Sequence, residues 1–281
     1  MNFKHLRIDF REKITPLYNA EEIDAIFFIG LEALFGIKKI DFVLQPNDML
    51  STENLVVWEK FTAALATGKP IQYIIGKTEF YGMPFIVDEN VLIPRPETEQ
   101  LLEWILVDFK NNSAISLLDI GSGSGCIPIV LNSKMPQSKI TSWDVSEKAL
   151  EISKQNNELN KTNVNFELQD VLKVNKISFP IDVIVSNPPY VQISEQVSMK
   201  TNVLHFEPHL ALFVPENDPL LFYKKIGKLA WHHLKTGGCL YFEINQYLGK
   251  ETLELLQNIG FQNLELRKDF RNNDRMVKAV K

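Results

Sequence analysis

A four-residue motif, Asn187-Pro-Pro-Tyr190, directly follows a stretch that reads as a buried strand. The Asn187 side-chain oxygen and the Pro188 backbone carbonyl can each accept one N–H of a planar NH₂ group and stabilise charge that develops on its nitrogen. Pro188 and Pro189 restrict the loop, and Tyr190 offers a flat face to an amide or a base. The motif favours a site that aims an amide or amine nitrogen at an electrophile, although Asn-Pro sequences at strand ends are also common turns.

A glycine-rich loop is the second chemical signal. The segment Leu117-Leu-Asp-Ile-Gly-Ser-Gly-Ser-Gly125 begins as a buried strand, and its glycines let the backbone turn tightly against a ligand. A dinucleotide fingerprint would need Gly or Ala at position 126, where the chain has Cys126, so the spacing instead resembles the class I methyltransferase motif. The loop residues that we expect to bind a cofactor are Asp119, Gly121, Ser122, Gly123, Ser124 and Gly125.

Asn187 is also expected to contact the cofactor, and three residues after the next strands complete the predicted cofactor site. Asp144 ends the second predicted strand, where a carboxylate can accept hydrogen bonds from ribose hydroxyls. Asp170 follows the third strand, where class I methyltransferases contact the adenine ring, and Val171 would flank the same ring. An ordinary loop start would also explain Asp170 and Val171. No histidine stands out as a general base, so we expect the proton released by transfer to pass to solvent.

The elements that must position these residues alternate along the chain. The predicted strands span residues 115–120, 139–143, 164–168, 181–186, 238–244, 261–267 and 276–280. Helices separate the first strands, which predicts a parallel sheet covered on both faces. The last two strands are too close for a helical crossover and should pair antiparallel. Asp218-Pro219 is predicted to open the helix before the fifth strand.

The first 75 residues or so carry a different pattern. Apolar residues recur at three- and four-residue steps between Ile23 and Ile37 and again after Ser51, a candidate N-cap, which predicts helices. From about residue 73 to 94, β-branched and aromatic residues punctuated by glycines indicate a hairpin, and Pro96 suits the first position of a helix. We predict a helical domain at 1–72, a β-hairpin linker at 73–95 and a catalytic domain at 96–281.

Composition narrows the choice of partner. A net charge of −5 argues against a protein that grips nucleic acid through its overall field, and it is compatible with a basic protein partner. The two cysteines, Cys126 and Cys239, are far apart and suggest neither a disulfide framework nor a metal site, so a reducing cytoplasm is expected. No apolar run suits a signal peptide or a membrane span.

The chain resembles the peptide chain release factor glutamine methyltransferases, also called the PrmC or HemK family, over nearly its whole length. Beside the glycine loop and Asn187-Pro-Pro-Tyr190, the matching segments are Gln72-Tyr-Ile-Ile-Gly76, Glu79-Phe-Tyr-Gly82, Leu92-Ile-Pro-Arg-Pro-Glu-Thr-Glu99, and Glu207-Pro208 with Ala211-Leu212. The segment from Leu92 to Glu99 is specific to this family and its nearest relatives. The Asn-Pro-Pro-Tyr motif alone is shared with adenine methyltransferases.

The resemblance implies an α/β fold, namely a class I, Rossmann-like methyltransferase sheet of seven strands with an N-terminal all-helical domain and a β-hairpin linker. It also implies that the helical domain docks the substrate. It implies methyl transfer from S-adenosyl-L-methionine, with S-adenosyl-L-homocysteine as product, to the glutamine amide of the Gly-Gly-Gln loop of release factors, which modulates translation termination. By position, Gly121, Gly123, Gly125 and Asp144 would hold the cofactor, Asn187 to Tyr190 the glutamine, and Arg95 with Glu97 the active-site rim. Some relatives carry an aromatic residue where Val171 stands.

Four other functions remain open at this point. A glutamine methyltransferase of a ribosomal protein would carry similar core motifs. An adenine-specific DNA or RNA methyltransferase would need a basic groove, and the first 75 residues or so contain no basic run. A non-catalytic release-factor binding module is disfavoured by the intact Asn187 and Asp144, and an NAD-dependent oxidoreductase by Cys126. We expect a cytoplasmic monomer without metal, membrane contact or direct nucleic-acid contact.

Overall fold

The structure, a computed structural model, describes residues 1–112 and 114–281. They form two compact units, Met1–Lys77 with Lys200–Phe206 and Thr78–Met199 with Glu207–Lys281, which we call the helical unit and the sheet unit. The helices are α1 (Phe3–Ile14), α2 (Ala20–Phe35), α3 (Lys39–Leu44), α4 (Thr52–Ala66), α5 (Ile71–Ile75), α6 (Pro96–Asp108), α7 (Cys126–Lys134), α8 (Glu147–Leu159), α9 (Thr201–Phe206), α10 (His209–Leu212), α11 (Leu221–His233) and α12 (Gly249–Ile259). The strands are β1 (Lys77–Phe80), β2 (Met83–Ile86), β3 (Ser116–Ile120), β4 (Lys139–Asp144), β5 (Val164–Leu168), β6 (Ile181–Ser186), β7 (Val191–Gln192), β8 (Phe213–Val214), β9 (Leu234–Glu243), β10 (Gln262–Lys268) and β11 (Asp274–Val280).

The helical unit is built from short, well-capped helices around an aromatic core. The Asn19 side chain accepts hydrogen bonds from the backbone of Glu21 and Glu22 at the start of α2, and Ser51 caps α4 as predicted. Phe10, Phe27 and Trp58 are fully buried and pack ring against ring. These aromatic contacts explain the apolar periodicity of the first 75 residues or so, and the all-helical prediction for this part of the chain is confirmed.

The predicted ribbon begins later than the sequence pattern suggested. Residues 71–75 form α5, because Pro70 precedes its first turn and Gly76 ends it in the left-handed conformation at φ 78°. The hairpin β1–β2 then turns at Tyr81 and Gly82, which both have positive φ, as a tight two-residue turn requires. The hairpin is thus confirmed, while the domain boundaries at 72 and 95 stay predictions.

The sheet unit contains a seven-stranded sheet in the order β10-β11-β9-β6-β3-β4-β5. Strands β3, β4, β5, β6 and β9 run parallel, whereas β11 pairs antiparallel with both β9 and β10, as the short connection required. The chain winds outward from β3 through β4 to β5 and then returns to place β6 on the other side of β3. This reversal creates a topological switch point at the carboxyl ends of β3 and β6, where open sheets of this kind bind ligands.

Strand residues alternate between two buried clusters, one on each face of the sheet. Leu117 packs in the cluster that contains residues of α6 and α7, and the adjacent Leu118 packs in the cluster that contains residues of α11 and α12. Tyr241 and Phe242 divide in the same way on β9. Burial on both faces explains why these strands are continuously apolar. The predicted doubly covered parallel sheet is confirmed.

Two local predictions differ from the structure. Helix α11 begins at Leu221, so Asp218 is not its N-cap; its carboxylate instead accepts a hydrogen bond from the Lys224 Nζ at 3.0 Å. After Tyr190 the chain also forms β7, a 3₁₀ helix over Ile193–Ser198, α9, α10 and β8, none of which was predicted. Elements of two to six residues are too short to show the periodicity from which longer elements are read.

Candidate active site

A cavity of about 260 Å³ lies at the carboxyl ends of β3, β4 and β6, at the switch point. It brings together residues that are far apart in sequence. Of the predicted site residues, those that line it are Arg95, Gly121, Ser122, Gly123, Ser124, Asp144, Asp170, Val171, Asn187, Pro188 and Pro189. Asp119, Gly125, Tyr190 and Glu97 are not among its lining residues. Most of the predicted site residues therefore line this cavity, and these four residues lie outside its lining.

The glycine loop turns by adopting positive φ at three positions. Gly121, Gly123 and Gly125 have φ values of 92°, 52° and 80°, respectively. The backbone N–H groups of Gly121 and Ser122 donate to the Trp143 carbonyl at 2.8 and 3.0 Å, which fixes the loop against the end of β4. Gly121 and Gly123 border the cavity, so their backbone can approach a ligand closely.

Gly125 has a packing role. A Cβ atom at this position would lie 2.9 Å from Ile129 Cδ1 and 3.3 Å from Ser153 Cβ. The close approach of α7 and α8 to the loop therefore depends on glycine here. Its assignment to cofactor binding stays a prediction, and the structure supports an indirect contribution through the shape of the loop.

Replacing Gly125 with alanine should destabilise the protein more than the same change at Gly237. Gly237 has nearly the same φ, 79°, but its Cβ would meet no atom within 4 Å. Both changes introduce left-handed strain of about 1–2 kcal/mol. Crowding at Gly125 should add about 1–3 kcal/mol. Urea unfolding of Gly125→Ala and Gly237→Ala would measure the difference, and equal destabilisation would contradict the packing role of Gly125.

Asp144 ties the second strand to the glycine loop. Its Oδ2 accepts a hydrogen bond from the Gly123 N–H at 2.9 Å, and its Oδ1 accepts one from the Ser146 N–H at 2.9 Å. Burial raises the pKa of the Asp144 carboxyl, and these backbone hydrogen bonds oppose that rise. The side chain borders the cavity. It is therefore suited to accept further hydrogen bonds from hydroxyl groups of a ligand.

Asp119 lies beneath the loop. It is fully buried, and its Oδ2 accepts a hydrogen bond from the Ser142 hydroxyl at 2.5 Å, while no described residue is hydrogen-bonded to its Oδ1. Burial, together with the nearby Asp144 carboxylate, raises the pKa of Asp119 to about 8, against the lowering effect of the Ser142 hydroxyl. The neutral acid should therefore predominate at neutral pH. Ser142 also lies 2.5 Å from the Ser122 hydroxyl, which links Asp119 to the loop.

The raised pKa of Asp119 should make stability fall as pH rises. Between pH 3.8 and about 8, the folded protein retains a proton on Asp119 that the unfolded chain has already released. The stabilisation from this proton is therefore complete below pH 3.8, decreases as the pH rises, and is lost above about 8. Asp119→Asn removes this group, and its free energy of unfolding relative to wild type should rise by up to about 1.4 kcal/mol per pH unit. Urea unfolding from pH 5.5 to 8 tests this, and a constant difference between the two proteins would contradict it.

The Asn187-Pro-Pro-Tyr190 motif follows β6 and lies beside the glycine loop. A Cβ atom at Gly121 would lie 3.7 Å from the Asn187 carbonyl oxygen, so the two segments are in contact. A second cavity of about 180 Å³ adjoins Tyr190 and is also lined by Met199, Leu212 and Glu243. Both cavities share Asn187 and Arg95. Asn187 therefore stands where a group in one cavity meets a group in the other.

Arg95 and Glu97 have different surroundings. The Arg95 guanidinium is ion-paired with Glu207 at 2.5 Å, and Glu207 also accepts a hydrogen bond from the Ile93 N–H at 3.3 Å. Arg95 thereby lies on the rim of both cavities. Glu97 lines neither of them, and its carboxylate lies 3.7 Å from Arg271. The contact of Glu97 with a substrate stays a prediction without support from its position.

Sequence reasoning assigned no role to several polar residues at the site. Glu243 is buried at the end of β9 and accepts a hydrogen bond from the Thr98 hydroxyl at 2.6 Å, and Asn245 and Glu207 are buried nearby. The position of Glu243 inside the otherwise apolar run 239–244 was a usable signal, because acidic residues are rarely buried without a partner. The role of Thr98 could not be read, since its partner is 145 residues away.

Metal and thiol chemistry gain no support from the geometry. Within residues 1–112 and 114–281, no group of three or more His, Cys, Asp or Glu side chains could hold a metal ion. Burial raises the pKa of the Cys126 thiol to about 12, so this residue is a neutral thiol beside the cavity. None of the helices in the part of the chain that the structure describes is long and apolar enough to cross a membrane.

Comparisons with known proteins identify the family. The family model of the PrmC N-terminal domain matches residues 18–76, and that of the methyltransferase small domain matches residues 98–206. A release factor glutamine methyltransferase from Flavobacterium psychrophilum is 47% identical over 282 residues, which cover 99% of each chain. The chain belongs to the release factor glutamine methyltransferase family. The predicted family and the predicted methyltransferase class are confirmed.

Other relatives agree with this assignment. A release factor glutamine methyltransferase from Bacteroides thetaiotaomicron is 40% identical and matches over 96% of each chain. A solved structure of a methyltransferase from Pyrococcus furiosus is similar at a TM-score of 0.51, with 18% identity over 82% of this chain and 99% of the other. That structural likeness supports the class I methyltransferase fold alone.

The cofactor of a methyltransferase of this class is S-adenosylmethionine, and the residues around the larger cavity fit it. Asp144 presents a carboxylate for ribose hydroxyls, and Val171 and Phe222 present apolar surface for an adenine ring. The buried Ser124 hydroxyl lines the cavity, and the Cys126 thiol, a weak hydrogen-bonding group, is its neighbour. A buried hydroxyl usually has a stronger partner, and a ligand in the cavity could supply one. Asp170 borders the cavity too, with its carboxylate 3.0 Å from the Lys173 Nζ.

Proposed function

We propose that this protein transfers a methyl group from S-adenosylmethionine to the side-chain amide nitrogen of a glutamine in peptide chain release factors, in the Gly-Gly-Gln loop. One observation supports this most strongly: Asn187 lies at the junction of two cavities, one bordered by the cofactor-type glycine loop and Asp144, the other by Tyr190. The curated relatives, named release factor glutamine methyltransferases, supply the choice of substrate.

The residues at the junction orient an amide. S-adenosylmethionine supplies an electrophilic methyl group, and transfer to an amide nitrogen requires in-line placement because the nitrogen lone pair is delocalised. The Asn187 side-chain oxygen and the Pro188 carbonyl would accept the two N–H groups of the glutamine side chain. The ring of Tyr190 would cover one face of the amide, and Leu92 and Leu212 would exclude water from the smaller cavity.

The proton released by transfer passes to solvent in this proposal. An amide that has gained a methyl group is a strong acid until it loses that proton, so water is a sufficient acceptor. Histidines are absent from the described residues that line the two cavities. The larger cavity is bordered by Asp170 and by Leu210, whose side chains are partly or largely exposed, and this leaves solvent close to the site.

The remaining functional assignments are part of the same proposal. The protein would act as a monomer in the cytoplasm on a protein substrate, without direct contact with nucleic acid, and the net charge of −5 supports the last point. A ribosomal protein would be the alternative glutamine substrate. Adenine in DNA or RNA would be the alternative planar substrate, because its exocyclic amine has the same pair of N–H groups.

Methyl transfer to three acceptors tests the proposal. Labelled S-adenosylmethionine is incubated with the protein and a release factor, the same factor with its Gly-Gly-Gln glutamine changed to alanine, or unmethylated DNA. Label on the first acceptor alone is the expected result. Label on DNA, or equal label on both release factors, would show that another planar amine or another protein residue is the target.

A further inference from the structure

Tyr190 is held by its hydroxyl group. The phenol O–H donates to Glu243 Oε1 at 3.3 Å, and the other oxygen of Glu243 accepts from the Thr98 hydroxyl at 2.6 Å. Glu243 is 2% exposed, and it also lines the smaller cavity. The carboxylate therefore connects the ring of Tyr190 to the first turn of α6, close to the position proposed for the target amide.

Tyr190 is held a second time through its backbone. The Asn245 side-chain N–H₂ group donates to the Tyr190 carbonyl at 3.0 Å and to Glu195 Oε1 at 2.8 Å. Asn245 is 3% exposed, and its own backbone N–H donates to the Tyr223 hydroxyl at 3.2 Å. Glu243 ends β9 and Asn245 lies two positions beyond it, where the Ile244 N–H still donates to the Arg275 carbonyl at 2.8 Å, so both side chains reach Tyr190.

The charge of Glu243 is balanced locally. Burial raises the pKa of its carboxyl, while the Thr98 hydroxyl, the Arg275 guanidinium and the Tyr190 hydroxyl lower it, and Glu97 raises it. Arg275 is itself fixed by Asp269 at 3.2 Å and by the Ile244 carbonyl at 3.2 Å. Burial of several polar groups solely for folding is costly when an apolar core would serve as well. This arrangement at the edge of a cavity therefore points to a role in the reaction.

We propose that Glu243 and Asn245 are positioning residues that clamp Tyr190 at its hydroxyl and its carbonyl, and so set the orientation in which the target amide is presented to Asn187. Because β6 and β9 are parallel neighbours, with Ser186 opposite Phe242, the clamp keeps the motif that follows β6 in register with the end of β9. This inference rests on the proposed function, since it assigns the orientation of the same substrate group.

The first test of the clamp is independent of substrate. The protein is labelled with 3-fluorotyrosine, and the fluorine NMR signal that is missing from Tyr190→Phe is assigned to Tyr190. In wild type we expect one narrow signal, and in Glu243→Gln we expect it to shift and broaden because the ring is less restrained. An unchanged Tyr190 signal in Glu243→Gln would overturn the clamp, whatever the substrate of the enzyme is.

The second test is a kinetic cycle with the acceptor that wild type methylates. Tyr190→Phe and Glu243→Gln should each lower kcat by roughly 10-fold, and the double variant should be no slower than either alone, because both remove one interaction. The dissociation constant of S-adenosylmethionine should stay unchanged, which separates positioning from general damage to the fold. Additive effects, or wild-type kcat in either single variant, would overturn the proposal.

The same strand offers a matched control pair. The Tyr241 hydroxyl donates to Asp108 Oδ2 at 2.6 Å, and neither residue lines a cavity described above. Tyr241→Phe and Asp108→Asn should lower stability without changing kcat. A wild-type protein that labels DNA and not the release factor would refute the proposed function, and the NMR test would still decide on the clamp.

Discussion

Asn187→Ala is expected to lower kcat for methyl transfer by about 10²–10³-fold, the usual effect of removing one hydrogen-bonding group that acts on the developing charge. The side-chain oxygen is lost, so the target nitrogen is no longer aimed at the electrophile. Folding and cofactor affinity should be preserved, since the glycine loop and Asp144 are unchanged. Single-turnover transfer to the release factor, with the cofactor dissociation constant measured by calorimetry, separates the two effects.

Asn258→Ala is the matched control for this variant. Asn258 lies on α12 and is exposed, so the same side-chain truncation should leave kcat at the wild-type value. Near-wild-type turnover by Asn187→Ala would contradict the role proposed for Asn187. A large loss of cofactor affinity with unchanged single-turnover rate would instead assign Asn187 to cofactor binding, which the sequence also allowed.

Asp144→Ala is expected to raise the dissociation constant of S-adenosylmethionine roughly 10- to 150-fold. A hydrogen bond to a charged group contributes roughly 1.5–3 kcal/mol, which corresponds to that range. The variant also releases the Gly123 and Ser146 backbone N–H groups that Asp144 now holds, so the glycine loop should become less ordered. Calorimetric titration with the cofactor measures the change, and saturating cofactor should restore most of the transfer rate.

Glu147→Ala provides the comparison for Asp144→Ala. Glu147 is an exposed carboxylate in the first turn of α8, three residues from Asp144, and it does not line the cavity. Removing it changes the local charge without removing a proposed contact, so the dissociation constant should stay close to that of wild type. An unchanged dissociation constant in Asp144→Ala would refute the ribose contact, and equal weakening in both variants would indicate a general charge effect.

The two variants divide the site along the sheet. The cofactor side is formed by the ends of β3 and β4, and the transfer side by the ends of β6 and β9. This division requires that Asp144→Ala lowers only the affinity for the cofactor and that Asn187→Ala lowers only the rate of methyl transfer. It would also explain why Gly121 lies against the Asn187 carbonyl, because the two sides must meet at the atom that is transferred.

Much of the fold could be predicted from the sequence because the features that determine it are local. Continuous apolar strands that alternate with helices indicate a doubly covered parallel sheet, and the glycine loop and the Asn-Pro-Pro-Tyr motif mark strand ends by their turn chemistry. The predicted starts of one helix and of the hairpin segment were less accurate, because several neighbouring residues could cap a helix there. Asp218 pairs with Lys224 and does not cap α11, and α5 occupies the start of the predicted ribbon.

The sequence by itself determined the sheet and the N-terminal helices, and it predicted the roles of Asp144 and Asn187, because residue type and spacing carry that information along the chain. Only the tertiary structure decided that Gly125 packs and does not line the cavity, that Glu97 faces Arg271, and that Glu243 joins Thr98 and Tyr190. These contacts join residues whose distance apart is fixed by strand order and register. A linear pattern contains no measure of that distance, so the clamp on Tyr190 became visible only in three dimensions.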